Sequence, residues 1–111
     1  MSRSYSSIIL HCVNRVAGIK SLTDRQRAVL AAATADVKQA EPFWKSQDWA
    51  GLRAAKFSFS LSENVGALDG TAAGEAVNAI GRASNSFACG DERGAISFCV
   101  EAMDNLGWEI Q

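Results

Sequence analysis

Apolar positions recur along most of the chain at spacings of three and four, the repeat of one face of an α-helix. Tyr5, Ile8, Ile9, Cys12, Val13, Val16 and Ile19 form the first stripe, and Gly18 and Lys20 mark its end. A second helix opens at Thr23, whose hydroxyl caps it while Gln26, three residues on, reaches back in a capping box; Asp24 suits the positive end of the helix dipole. Val29, Leu30, Ala33, Val37 and Ala40 carry this helix to Glu41. Pro42 disfavours helical geometry at the residue before it, so the helix is expected to stop there, with Phe43 and Trp44 as a short bulky link.

Ser46 is the expected cap of a third helix, in which Trp49, Leu52, Ala55, Phe59 and Ser62 follow one face and Ala54, Phe57, Leu61 and Val65 a neighbouring one. Its wide apolar arc predicts a central position, and Asp69 and Gly70 end it. Residues 57–61 also alternate with period two, but a lone five-residue strand has nothing to pair with, so helix is preferred. Thr71 starts a fourth helix along Ala73, Ala76, Val77, Ile80, Ala83, Ser84 and Phe87. Gly74 and Gly81 within it each cost up to about 1 kcal/mol in propensity unless a neighbouring helix packs onto them. Gly90 ends that helix and Asp91 caps a fifth, with Ile96, Cys99, Val100, Met103 and Leu106 as its buried face and Gly107 as its stop. Trp108 and Ile110 follow, either docked on the core or marking a contact surface, with Trp108 expected to be partly exposed. Short loops between successive helices favour antiparallel neighbours. The expected fold is therefore all-α, a compact single-domain bundle of four to five antiparallel helices over residues 1–111.

Composition agrees: of 111 residues, 48% are hydrophobic, with one proline and a net charge of -1, too apolar and too nearly neutral for a disordered chain. No apolar run approaches the roughly 18 residues of a membrane span, and no leader pattern opens the chain, so a soluble cytoplasmic protein without membrane contact is the expectation. The small net charge hides an uneven layout. Residues 1–56 carry nine Lys and Arg against four acids, and residues 57–111 carry two against eight, giving +5 and -6. If folding keeps these signs apart, the resulting dipole steers a charged partner.

Chemistry-bearing motifs are sparse. Cys12, Cys89 and Cys99 form no C-x-x-C pair, and His11 is the single histidine, so no zinc site and no cofactor are expected. Each cysteine falls among apolar helical positions and is read as a small buried hydrophobe. No nucleophile elbow, phosphate-cradling glycine loop or zinc-protease motif occurs, and an enzyme is disfavoured. Trp49 is expected to fill the core and Trp44 to close one end of the bundle.

Two segments resemble known families. Ser21-Leu22-Thr23-Asp24-Arg25-Gln26-Arg27-Ala28-Val29-Leu30 resembles the opening helix of helix-turn-helix activators, but Ala32 to Ala40 and Pro42 follow where a turn and a recognition helix belong. Asp48 to Ala67 resembles the helix of histidine-phosphotransfer domains, with Asn64-Val65-Gly66-Ala67 matching the end of that pattern. Lys56 occupies the phosphohistidine position and Ser58, Phe59 and Ser60 replace the rest, so the resemblance implies at most a bundle of that shape without the relay chemistry.

What is left is binding. The leading expectation is a non-enzymatic protein-binding module, a stand-alone inhibitor of the general type of immunity proteins and phage-encoded anti-CRISPR proteins. Its acidic C-terminal face, Glu92, Glu101, Asp104 and Glu109 together with Trp108, would dock on the basic groove of a nuclease or other nucleic-acid-processing complex. The alternative is a nucleic-acid-binding or transcription-regulatory protein that uses Arg25, Arg27, Lys38 and Lys45. Self-association through the tryptophan-bearing ends is a third reading, and the oligomeric state stays open.

Overall fold

The computed structural model describes residues 4–57 and 70–109. Five helices lie among them: α1 (Tyr5–Ala17), α2 (Asp24–Ser46), α3 (Trp49–Ala54), α4 (Ala72–Ala88) and α5 (Glu92–Leu106). The chain is all-α in these residues, a helical bundle. Each helix starts at a side chain that accepts an otherwise orphaned N–H. Ser4, Thr23, Asp48, Thr71 and Asp91 accept from Ser7, Gln26, Gly51, Gly74 and Gly94 at 2.8–3.2 Å. At Thr23 the capping box is complete, with Gln26 Oε1 accepting from the Thr23 N–H at 2.8 Å.

Helix α2 departs from the sequence expectation, because it continues through Pro42 to Ser46. Pro42 removes the hydrogen bond that the Lys38 carbonyl would accept. Both residues are exposed, so water reaches that carbonyl. Beyond the proline the last turn is held from outside. The Trp44 indole stacks on Phe87 with centroids 4.7 Å apart and an interplanar angle of 13°, and its Nε1 donates to the Phe87 carbonyl at 2.9 Å. Ser46 belongs to this turn, donating to the Pro42 carbonyl at 2.9 Å, and Asp48 is the actual cap of α3. Gln47 then adopts left-handed geometry (φ 56°), with the Asp48 N–H bonded to the Phe43 carbonyl at 2.9 Å.

The third helix is also shorter than expected. It ends at Ala54, where Ala55 turns extended (φ -70°, ψ 148°), and of its six residues only Leu52 is buried. The expected continuation over residues 58–69, including the alternating segment, lies outside the described residues. The central helix is α4, which packs on α1, α2 and α5. Its small side chains permit this approach: Gly74, Ala76, Ala79, Gly81 and Ala83 are buried beside Val77, Ile80 and Phe87. Around it the core takes in Ile9, Val16, Leu30, Val37, Cys99 and Met103, and large apolar side chains such as these contribute about 1.5–3 kcal/mol each on burial.

Contacts at the helix ends fix the topology. Ser6 near the start of α1 meets Glu41 near the end of α2, and Arg27 at the start of α2 meets Ala17 at the end of α1, so these two helices are antiparallel. A tight turn makes α4 and α5 antiparallel as well, with Gly90 at φ 85° and the Asp91 N–H bonded to the Ser86 carbonyl at 2.8 Å. The Trp44–Phe87 contact places the C-terminal ends of α2 and α4 together, so those two neighbours run in the same sense. One end of the bundle gathers Tyr5, Trp44, Trp49 and Phe87, and the other gathers Arg15, Arg27 and Trp108.

Candidate interaction surfaces

Three basic residues of the first half have partners within the chain. Arg27 donates from Nη1 to the Ala17 carbonyl at 3.2 Å and from Nη2 to the Ile19 carbonyl at 3.0 Å, which satisfies the acceptor-rich end of α1. Lys45 lies 3.4 Å from Glu41 one turn back on α2. Arg15 stacks over the Trp108 ring at 4.4 Å and donates to the Glu109 carbonyl at 3.2 Å. Arg25 and Lys38 are exposed. On a helix rising 1.5 Å per residue, Arg25 and Lys45 are about 30 Å apart, so the four cations form a scattered line rather than a cluster. Residues 24–46 form one uninterrupted helix, which leaves no turn or recognition helix after the segment that resembles helix-turn-helix activators. Lys56, at the phosphohistidine position of the other resemblance, follows α3 in non-helical backbone.

The acidic set divides between the two ends. Glu101, Asp104 and Glu109 are exposed at the C-terminal end of α5, while Glu92 starts that helix about 18 Å away. Gly107 (φ 70°) turns the chain there, and the Trp108 N–H bonds to the Met103 carbonyl at 2.9 Å, which swings the half-buried indole back under Arg15. A cleft of about 260 Å³ results, lined by Val100, Met103, Asp104, Trp108 and Glu109. Val100 belongs to the stripe expected to be buried, yet it is 41% exposed. Its own helix turns it toward solvent beside Asp104, so the apolar face of α5 is wider than the neighbours that cover it.

At the opposite end Tyr5, the first residue of the α1 stripe, and Trp49, expected in the core, are 38% and 40% exposed. They flank Trp44. Tyr5 is tilted at 49° with a centroid distance of 6.3 Å, and Trp49 is edge-on at 5.0 Å. A cleft of about 190 Å³ opens beside these rings, lined by Ser4, Tyr5, Ser6, Glu41, Trp44, Lys45 and Phe87. The Ser6 hydroxyl donates to the Glu41 carboxylate, and this bond, with a smaller contribution from Lys45, holds that carboxyl below its ordinary range against the opposing effect of burial. The nearby Glu92 carboxylate favours the protonated phenol of Tyr5, as a hydrogen-bond acceptor and through its negative charge, so that phenol titrates above its ordinary value. Sequence reasoning placed neither Tyr5 nor Glu41 at a surface site. The available signal was the crowding of Phe43, Trp44 and Trp49 around Pro42.

Two of the cysteines are core residues as expected, and Cys89, at the C-terminal cap of α4, is exposed instead. Cys12 and Cys99 meet between α1 and α5. The Cys12 thiol and burial together push the Cys99 thiol well above its usual range. Among the described residues no group of three or more His, Cys, Asp or Glu side chains comes together as metal ligands, and no helix is long and apolar enough to cross a membrane. His11 Nε2 is buried without a hydrogen-bond partner. Comparison of the chain with protein-family models, with curated proteins and with solved structures returns no match.

Proposed function

We propose that this chain is a non-enzymatic protein-binding module, a stand-alone inhibitor that docks the C-terminal end of α5 on the basic groove of a nuclease or nucleic-acid-binding complex and so excludes the nucleic acid. The observation that carries the reading is Val100, a large apolar side chain 41% exposed in a cleft whose other walls include Asp104, Trp108 and Glu109. An apolar centre with a charged rim is the general anatomy of a protein interface, and acidic rim charges select a basic partner and speed its approach. The spread of Arg25, Arg27, Lys38 and Lys45 over about 30 Å of α2, with Arg27 bonded to carbonyls at the end of α1, favours this reading over direct nucleic-acid binding. Immunity proteins and phage-encoded anti-CRISPR proteins are the class of inhibitor it implies, acting inside the cell.

The test is competition. A nuclease recovered with the chain is bound to duplex DNA, and the chain is added as wild type or as the Glu101→Lys, Asp104→Lys variant. Release of DNA by the wild type and not by the variant supports the proposal. Equal release by both refutes the assigned surface. Salt-sensitive binding of duplex DNA by the chain itself, in the absence of any nuclease, supports the nucleic-acid alternative instead.

A further inference from the structure

The aromatic end of the bundle lies opposite the C-terminal end of α5. We propose that the cleft between Tyr5, Trp44 and Glu41 receives an arginine side chain from a basic protein segment, its stem against the rings and its guanidinium at the Glu41 carboxylate. Three observations select this occupant. The floor is apolar and aromatic, formed by Trp44 and Phe87 with Tyr5 as a wall, and aromatic rings attract a flat, weakly hydrated cation. Among the residues that line the cleft, Glu41 supplies the carboxylate that such a cation would meet. The chain itself shows the chemistry at its other end, where Arg15 lies 4.4 Å over Trp108.

Among the described residues, Tyr5, Trp44 and Trp49 have no such cation over them. Lys45 does not fill the role. Its ammonium pairs with Glu41 at 3.4 Å along the helix, and its side chain is 72% exposed, the arrangement in which an ion pair contributes least and is most readily displaced. Glu41 is meanwhile held in place by the buried Ser6 hydroxyl, so its carboxylate is oriented before any ligand arrives. Arginine is preferred to lysine because a planar guanidinium both stacks on a ring and pairs with a carboxylate, which a compact ammonium does not do as well.

The experiment is a titration of the full chain with hexa-arginine, hexa-lysine and hexa-glutamate peptides, followed through the indole N–H resonances of Trp44, Trp49 and Trp108. Hexa-arginine is expected to shift the Trp44 and Trp49 signals saturably and to bind about three- to tenfold more tightly than hexa-lysine. Tyr5→Ala and Glu41→Gln, each with unchanged helical circular dichroism, are expected to weaken it by a similar factor. The Glu101→Lys, Asp104→Lys variant is expected to keep the Trp44 response, which separates this site from the α5 surface. Equal binding of the arginine and lysine peptides, a response confined to Trp108, or a response to hexa-glutamate overturns the proposal. Indole shifts that depend on chain concentration without peptide also overturn it, since the occupant is then a second copy.

Discussion

Replacing Trp44 measures what holds the end of α2 after Pro42. Trp44→Phe keeps a ring on Phe87 and removes the indole N–H that donates to the Phe87 carbonyl at 2.9 Å. That carbonyl also receives the Gly90 N–H at 3.1 Å, so no acceptor is orphaned and the expected loss is about 1 kcal/mol. Trp44→Ala removes the ring as well. Burial of about 100 Å² of this half-buried indole contributes about 2.5 kcal/mol, and stacking adds about 0.5–1.5 kcal/mol. The expected total, about 4 kcal/mol, lies within the ordinary range for an aromatic-to-alanine change. Urea unfolding followed at 222 nm reads both. With a slope of about 1.5 kcal/mol/M, the midpoint falls by about 0.7 M for Trp44→Phe and by more than 2 M for Trp44→Ala. Amide exchange at Lys45 and Ser46 should accelerate in Trp44→Ala well before the core opens. A loss under 1 kcal/mol in Trp44→Ala, or unchanged exchange at those amides, would refute the claim that this ring carries the helix past the proline.

Three further outcomes follow from the same geometry. Gln47→Gly should raise stability by about 0.5–1 kcal/mol in the same urea assay, because glycine adopts the left-handed φ of 56° without the steric cost that glutamine bears there. Ser6→Ala should destabilise the chain most near neutral pH. The Glu41 carboxyl titrates low in the folded state, so its stabilisation is fully present above the unfolded value and disappears as pH falls through the folded one; the gap between wild type and variant should close below about pH 4. A thiol reagent should modify Cys89 rapidly in the native chain and Cys12 and Cys99 only on unfolding, and fast modification of all three would contradict the burial of the latter pair.

Features set by neighbours in sequence were legible in advance. The capping box at Thr23 and Gln26, the caps at Thr71 and Asp91, and the left-handed glycines 90 and 107 follow from local hydrogen-bonding rules, and each stands where those rules put it. Pro42 misled because the rule for proline is also local, whereas the turn after it is held by Phe87 on a distant helix. The apolar stripes identified the buried faces but not how far a neighbour covers them, so Trp49 and Val100, expected to be buried, emerge at the surface, as does Tyr5 at the start of the α1 stripe. The charge division was plain in the sequence. What it did not disclose is that Arg15 and Arg27 are held by backbone carbonyls and a ring at the same end of the bundle as the exposed Glu101, Asp104 and Glu109.

The most direct test of the inhibitor reading is quantitative capture from one lysate by the wild-type chain and by the Glu101→Lys, Asp104→Lys variant, at low and at high salt. The account predicts that a basic nucleic-acid-processing protein is enriched on the wild type, about tenfold less on the variant, and less on both as salt rises. The same proteins recovered equally on both chains would contradict it.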